Sequence, residues 1–376
     1  MGEGKKDASL LREVHHLLTQ GKSDEAQTLL AHVTAEATAQ RHELDYLRAW
    51  DAAVQEQWES VAQLVRGIPV LLDREERENL LTSGSTRRRR PMCLLMLGEM
   101  ARTLGYPEEA AEHFQRCLAF LNERRMNIPE VRLLAYACQG KLALEINHAA
   151  QALRHFEMAA RLCAEEEPDS PLQATILADL AETQFRLEHY EAALLSGKHA
   201  LRLYQASCAP SCHEQLLLLL SRICLALNDN ASALAYVQDA RRWASQANNP
   251  TREGTALLVL AEVQQREKQS AEARASVQAA LTLLAATPEQ SAYGNALFLA
   301  GRIAEDQWRG HPAEESYATE ARSAYERALT FFTERHDSAA RARIARQFAQ
   351  FLEARDQPEQ ALIQWKNAFT FARQVE

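Results

Sequence analysis

LGEMARTLGYPEEAAEHF, residues 97–114, reads as two helices folded back on each other. Gly105 breaks the first helix and Pro107 stands at the turn, where a fixed φ and a missing N–H are tolerated. Gly98 in the first helix and Ala110 in the second are small, and Phe114 is large. Small residues at helical spacing let two antiparallel helices approach closely, and the large residue fills the space between neighbours.

The pattern repeats outward from this stretch. AQALRHFEMAARL at 150–162, YEAALLSGKHALRL at 190–203, ASALAYVQDARRW at 231–243, AEARASVQAALTLL at 271–284, TEARSAYERALTFF at 319–332 and PEQALIQWKNAFTF at 358–371 align with 108–118 without gaps. One alanine recurs, at 110, 152, 193, 233, 273, 321 and 361. Seven residues on stands a second small position: Cys117, Ala159, Ala200, Ala240, Ala280, Ala328 and Ala368. Twelve residues before the alanine a third recurs as Gly98, Gly140, Ala181, Ser221 and Ala261. Phe114, Phe156, Val237, Tyr325 and Trp365 are the large fillers. Self-similarity of this kind marks a solenoid of helical pairs. The units resemble the tetratricopeptide repeat (TPR), with Leu97, Gly98, Gly105, Ala110 and Phe114 in that family's places. The resemblance is good over residues 91–373 and loose over 8–72.

The spacing is longer than the 34 residues usual for the family. Successive alanine intervals are 42, 41, 40, 40, 48 and 40. Most of the excess falls in the joints between units, where Pro129, Pro168, Pro171, Pro210, Pro250 and Pro288 sit; Pro312 and Pro358 mark turns within units. The 48-residue interval predicts about eight extra residues near DQWRGHPAEESYATE, 306–320, between the two helices of one unit.

Composition agrees with an all-helical protein. The chain has 376 residues, 47% hydrophobic, with only 13 Gly and 11 Pro. Ala, Leu, Glu, Gln and Arg dominate and β-branched residues are sparse. The net charge of −9 gives no overall attraction to nucleic acid or an anionic membrane. No apolar run reaches 18 residues, and the N-terminus lacks the apolar core of a signal peptide. Seven cysteines, mostly within apolar helical patterns, read as reduced thiols of a cytoplasmic protein.

One motif points elsewhere. LTQGKSDEAQTLL, 18–30, contains the GKS that ends a phosphate-binding loop. Such a loop needs a glycine five residues before Gly21, where His16 stands, and a preceding strand. SLLREVHHLL has helical periodicity instead. The better reading is a hairpin turn, with Gly21 breaking one helix, Ser23 capping the next and Ala26 as the small contact. Residues 1–72 therefore hold two degenerate hairpins. Residues 73–90, DREERENLLTSGSTRRRR, form a charged helix and loop, with Arg87–Arg90 in the solvated loop. Seven units fill 91–376 as one continuous array, and the polar first helix of the last unit, with Arg343, Arg346, Gln350 and Glu353, has the character of a cap.

In the family the first helix of each unit lines the concave face. The resemblance places Glu99, Lys141, Glu182, Arg222, Glu262 and Arg302 at one position of successive first helices, with strictly alternating charge. This ladder either holds register between repeats or forms a zwitterionic groove for a bound segment. Phe185, Arg186, Leu218, Leu219, Gln265, Arg266, Asn295 and Phe298 lie around it, a mixture able either to pack between helices or to grip a peptide. The Asn pair of chaperone-binding TPR proteins is missing. Cys208, Cys212 and His213 have no standard zinc spacing. His15, His16, His148 and His155 fall in ordinary helical contexts.

The fold expected is all-α, a right-handed α-solenoid of about nine TPR-like hairpins. The function expected is non-catalytic binding of a protein or peptide on the concave face, without cofactor or metal and without direct nucleic-acid or membrane contact. The alternative is a ligand- or peptide-sensing regulatory domain. The long units also look like the sensor regions of bacterial maltose-activator-like and peptide-pheromone regulators. That resemblance is at the level of fold.

Overall fold

The structure, a computed structural model, describes residues 10–11, 13–14, 17, 23–33, 38–55, 57–65, 84–123, 128–166, 168–207, 210–246, 249–285 and 291–373. Among these residues there are seventeen helices and no strand. The chain is all-α. It divides into two compact units, residues 1–189 and 190–376.

The first unit contains α1 (Ser23–Leu30), α2 (Thr38–Val54), α3 (Trp58–Val65), α4 (Gly84–Thr103), α5 (Pro107–Glu123), α6 (Pro129–Glu145), α7 (Ala149–Glu166) and α8 (Pro171–Arg186). Consecutive helices pack on each other, and α4/α5 and α6/α7 are hairpins. The first helices also meet directly, α4 against α6 and α6 against α8, while α5 and α7 are each wedged between two first helices. The second unit contains α9 (Tyr190–Ser207), α10 (Pro210–Ala226), α11 (Asn230–Gln246), α12 (Pro250–Arg266), α13 (Ser270–Leu284), α14 (Ser291–Gly310), α15 (Glu315–Glu334), α16 (Ser338–Ala354) and α17 (Pro358–Ala372). The same arrangement recurs. α10/α11, α12/α13, α14/α15 and α16/α17 are hairpins, and α10, α12 and α14 touch in series.

The small positions do what their spacing demands. The recurring alanines, from Ala110 to Ala361, are at most 1% exposed. A Cβ added to Gly98 would stand 2.3 Å from the Phe114 ring, and one added to Gly301 would stand 2.8 Å from Tyr325. Glycine at these two positions is therefore a packing requirement. Gly301 was not singled out by spacing, because the insertion displaces it by eight residues from the place held by Gly98. Ser221 fills the equivalent place in α10 and donates its hydroxyl to the Ala233 carbonyl at 2.8 Å, so a polar small residue is also satisfied there.

The turns inside hairpins share one geometry. Gly105, Asn147, Glu188, Asn228, Lys268 and Asp356 have φ between 55° and 80°. At Asn228 its N–H reaches the Leu225 carbonyl at 3.1 Å, and Asp229 N–H reaches the Cys224 carbonyl at 2.9 Å. This paired capping satisfies the last carbonyls of the first helix and reverses the chain in three residues. Six helices, α5, α6, α8, α10, α12 and α17, begin with proline, as the boundary reading expects.

One expectation is corrected and three others are refined. Residues 84–90 are helical: α4 starts at Gly84 and runs through Pro91, so the Arg87–Arg90 run stands in helix rather than loop. Pro91 stands inside α4, as its eighth residue, where its missing N–H leaves the Arg87 carbonyl without its i→i−4 bond. Arg90 places its guanidinium 4.7 Å from the Phe120 ring. The extra residues near 306–320, placed between the two helices of one unit, are themselves mostly helical. They lengthen α14 and α15 to 20 residues each, joined at His311–Glu314. Eight residues add close to one turn to each helix of the pair, so the hairpin stays in register. Leu218, read as able either to pack between helices or to line the groove, is 6% exposed and packs in the core. In the last hairpin Arg343, Arg346, Gln350 and Glu353 of α16 are exposed, and so are Leu362, Ile363 and Phe369 of α17, by 54%, 57% and 65%.

The GKS stretch meets the structure at Ser23, which opens α1; Gly21 and Lys22 lie outside the described residues. The Ser23 hydroxyl donates to buried Asp51 of α2, whose other oxygen accepts from Gln55 at 3.0 Å. Ala26 is fully buried.

Candidate functional site

The first helices carry Glu99, Lys141, Glu182, Arg222, Glu262 and Arg302, with different pairings in each unit. In the first unit the ladder residues do not pair with one another. Glu99 is gripped by Arg102 of its own helix, at 2.9 and 3.1 Å, and Arg102 also reaches Glu145 of α6. Lys141 faces Asp179 at 3.9 Å, and Glu182 pairs with Arg186 at 2.8 Å. Glu99 and Glu182 take partners three or four residues away on their own helix, whereas Lys141 reaches across to α8. Arg186 also donates to the Leu144 carbonyl at 3.3 Å, tying α8 to α6. Phe185 is half-buried beside it.

Asp179 is the strained member of this set. Burial pushes its carboxyl up to about 6; Lys141 opposes the rise, Glu182 adds to it and Arg102 opposes it. Cys138 of α6 is a further internal partner: burial pushes its thiol well up, and its hydrogen bond to Glu99 adds to that. Cys117 is pushed up to about 12 by burial. These thiols are held protonated and are poor nucleophiles.

The second unit has one rung of the ladder. Arg222 on α10 lies 3.7 Å from Glu262 on α12, both partly exposed, worth ~0–1 kcal/mol. Gln265 of α12 donates to Asp306 of α14 at 2.5 Å. Asn295, Phe298 and Arg302 follow one another along α14 with partial exposure, Leu219 is similar on α10, and Arg266 is exposed at the end of α12. The structure adds one residue that the ladder position did not find. Arg343 of α16 donates to Asn295 Oδ1 at 2.7 Å and lies 5.1 Å from the Phe298 ring. Loss of water lowers the stability of its charge; Glu262 and Asp337 act against that, and Arg302 and Arg222 add to it. The signal is present in the spacing: Arg343 and Asn295 occupy one repeat position, seven residues ahead of the ladder.

Glu305 was also missed. It is 1% exposed yet fully satisfied: Tyr325 donates at 2.6 Å, Gln347 at 3.0 Å and Arg309 at 2.7 Å. It ties α14, α15 and α16 together in the hairpin that carries the insertion.

His213 is 7% exposed and stacks on Trp243 at 5.2 Å. Cys208 and the side chain of Cys212 lie outside the described residues. Among the described residues no three His, Cys, Asp or Glu side chains converge as metal ligands, and no helix is long and apolar enough to cross a membrane.

The fold and this inner face define the class: a TPR-like array of helical hairpins. A tetratricopeptide repeat family model matches residues 136–206. No curated protein matches the chain by sequence. Solved structures do match in fold. The apo form of the quorum sensor NprR from B. thuringiensis aligns with TM-score 0.72 at 10% identity, over 98% of this chain and 99% of that one. The apo form of RapI aligns with TM-score 0.71 at 10% identity, over 98% of each chain. The Rap conjugation gene regulator of the plasmid pLS20, in complex with the Phr* peptide, aligns with TM-score 0.55 at 12% identity, over 98% and 96%.

Proposed function

We propose that this chain is a non-catalytic binding protein that takes an extended peptide, free or as a segment of a protein, on the inner helical face of its second unit. The observation that carries the reading is the arrangement of α10, α12, α14 and α16. Their half-exposed side chains combine guanidinium, carboxylate, amide and aromatic groups in adjacent helices: Arg222, Glu262, Asn295, Phe298, Arg302 and Arg343. Amides and guanidiniums can serve a peptide backbone, and an aromatic ring gives an apolar anchor. In the first unit, Glu99, Lys141, Glu182 and Arg186 already have internal partners, so that face offers fewer open groups.

A second reading is favoured by one comparison. A structure of the same fold was solved with a peptide, so a peptide-sensing regulatory array fits as well as a protein scaffold. The two share the binding face and differ in what is read out.

Selection of a random peptide library on the purified protein tests the reading. Sequences should be enriched on wild type and lost on an Asn295→Ala/Phe298→Ala variant that keeps its helix content by circular dichroism. Enrichment that survives the variant would move the site elsewhere. No enrichment of any sequence would remove peptide binding as the function.

A further inference from the structure

Three guanidiniums in the second unit, those of Arg222 on α10, Arg302 on α14 and Arg343 on α16, lie within electrostatic reach of one another, with two carboxylates near Arg343, Glu262 on α12 and Asp337 at the start of α16. Glu262 lies against Arg222. The other carboxylates of the region keep their charge but are engaged by neutral donors. Asp306, one turn beyond Arg302, accepts from Gln265 at 2.5 Å. Asp337 caps α16 and accepts from the Ala340 N–H at 2.9 Å. Arg266 is exposed at the end of α12. Among the described residues, no carboxylate comes within ion-pair distance of Arg302 or Arg343.

Arg343 is nonetheless held in place. Asn295 and the Phe298 ring fix it with neutral contacts. A guanidinium has only donors, so Asn295 must turn its oxygen to Arg343, and its NH₂ is left to donate elsewhere. Neutral partners fix the geometry of Arg343, while Glu262 and Asp337 offset its charge only from beyond ion-pair distance. Lost water destabilises the Arg343 charge, Glu262 and Asp337 offset part of that, and Arg302 and Arg222 add to it, so a carboxylate placed directly on the guanidinium offsets the remainder.

We propose that Arg302 and Arg343, with Arg222 beside them, form an anchoring subsite for a carboxylate of the bound segment, and that Glu262 is its internal competitor. The planar two-oxygen acceptor matches the guanidinium fork. The Asn295 NH₂ is positioned to take a backbone carbonyl of the same segment, and Phe298 to flank it. The carboxylate comes from an Asp or Glu side chain or from a C-terminus. Because Arg222, Arg302 and Arg343 sit on three hairpins, one ligand group draws α10, α14 and α16 together. This inference rests on the peptide-binding reading and names the group that the peptide presents.

The test uses four pools of N-acetylated heptapeptides: with Asp/Glu or with Asn/Gln at the varied positions, each with a free or an amidated C-terminus. Retention by the intact protein is read by mass spectrometry. In parallel, the arginine Nε–H resonances are followed as succinate and then inorganic phosphate are added. The expected result is at least tenfold stronger retention of pools that carry a carboxylate, with the pools telling side chain from C-terminus. Arg302→Gln and Arg343→Gln should erase that preference while melting within a few degrees of wild type. Glu262→Gln should strengthen it. Succinate should shift Arg302 and Arg343 saturably. Equal retention of the fully amidated Asn/Gln pool overturns the carboxylate subsite and leaves peptide binding standing. A preference unchanged in both arginine variants overturns it too, as does a response to phosphate without one to succinate. If succinate binds and no pool is retained, the subsite stands and the peptide reading fails.

Discussion

At the residue scale, close contacts decide the sign of a substitution. Alanine for glycine in a helix interior ordinarily stabilises by roughly 1 kcal/mol. Gly98→Ala should instead destabilise by about 1–3 kcal/mol, because the new Cβ would sit 2.3 Å from the Phe114 ring. Adding Phe114→Leu should recover part of the loss; denaturant unfolding of the two variants checks both statements. Tyr325→Phe removes one of three side chains that hold buried Glu305. It should cost about 1–3 kcal/mol with helix content unchanged, since a buried carboxylate loses a donor and gains nothing. Asp179 gives a pH dependence. Its folded pKa of about 6 lies above the reference of 3.8, so the folded state binds its proton more tightly. The destabilisation is absent below pH 3.8, grows between 3.8 and about 6, and is complete above that. Asp179→Asn should therefore melt higher than wild type at pH 7.5, by on the order of 2 kcal/mol, and lose its advantage by pH 4. An advantage that is constant across this range would show that Asp179 is not the group responsible.

At the element scale, the hairpin turns are set by backbone geometry and the chain fills them with whatever it has. Gly105 suits its φ of 80°, whereas Glu188 and Lys268 adopt 61° and 62° with side chains that resist it. Lys268→Gly should raise the unfolding free energy by about 0.5–1 kcal/mol, and the same change at Ser270 of α13 should lower it. Thermal melts of the pair separate turn strain from any general effect of glycine. The insertion shows why element boundaries were only partly legible. Eight additional residues were visible in the alanine spacing, but a spacing cannot say whether they loop out or coil. The helical outcome follows from register: near-whole turns added to both partners keep Gly301 opposite Tyr325. Likewise Arg87–Arg90 looked like a loop because of the Ser, Gly and Thr before it, yet α4 extends through them.

At the scale of the molecule, each unit is a series of hairpins that touch mainly their neighbours, so stability should pass along it locally. Removing residues 358–376 strips α17 from α16 and uncovers Phe348 and Leu352. Hydrogen exchange should then show protection lost from α16 first and kept longest in α10 and α11. Simultaneous loss across the second unit would mean that it folds as one cooperative block. The sequence by itself determined the all-α class, the repeat, the small-to-large packing positions and the proline boundaries. These are local, periodic properties, carried by residues a fixed number apart and read without knowing the fold. The groups that face one another on the inner surface were decided by tertiary structure alone. Glu99 turns to Arg102 and not along the ladder, Lys141 to Asp179, and Arg343 comes from another hairpin to meet Asn295 and Phe298. A charge pattern names candidates for pairing. The partner chosen depends on a few ångströms of helix offset and on water lost at each site, and both exist only once the helices have packed.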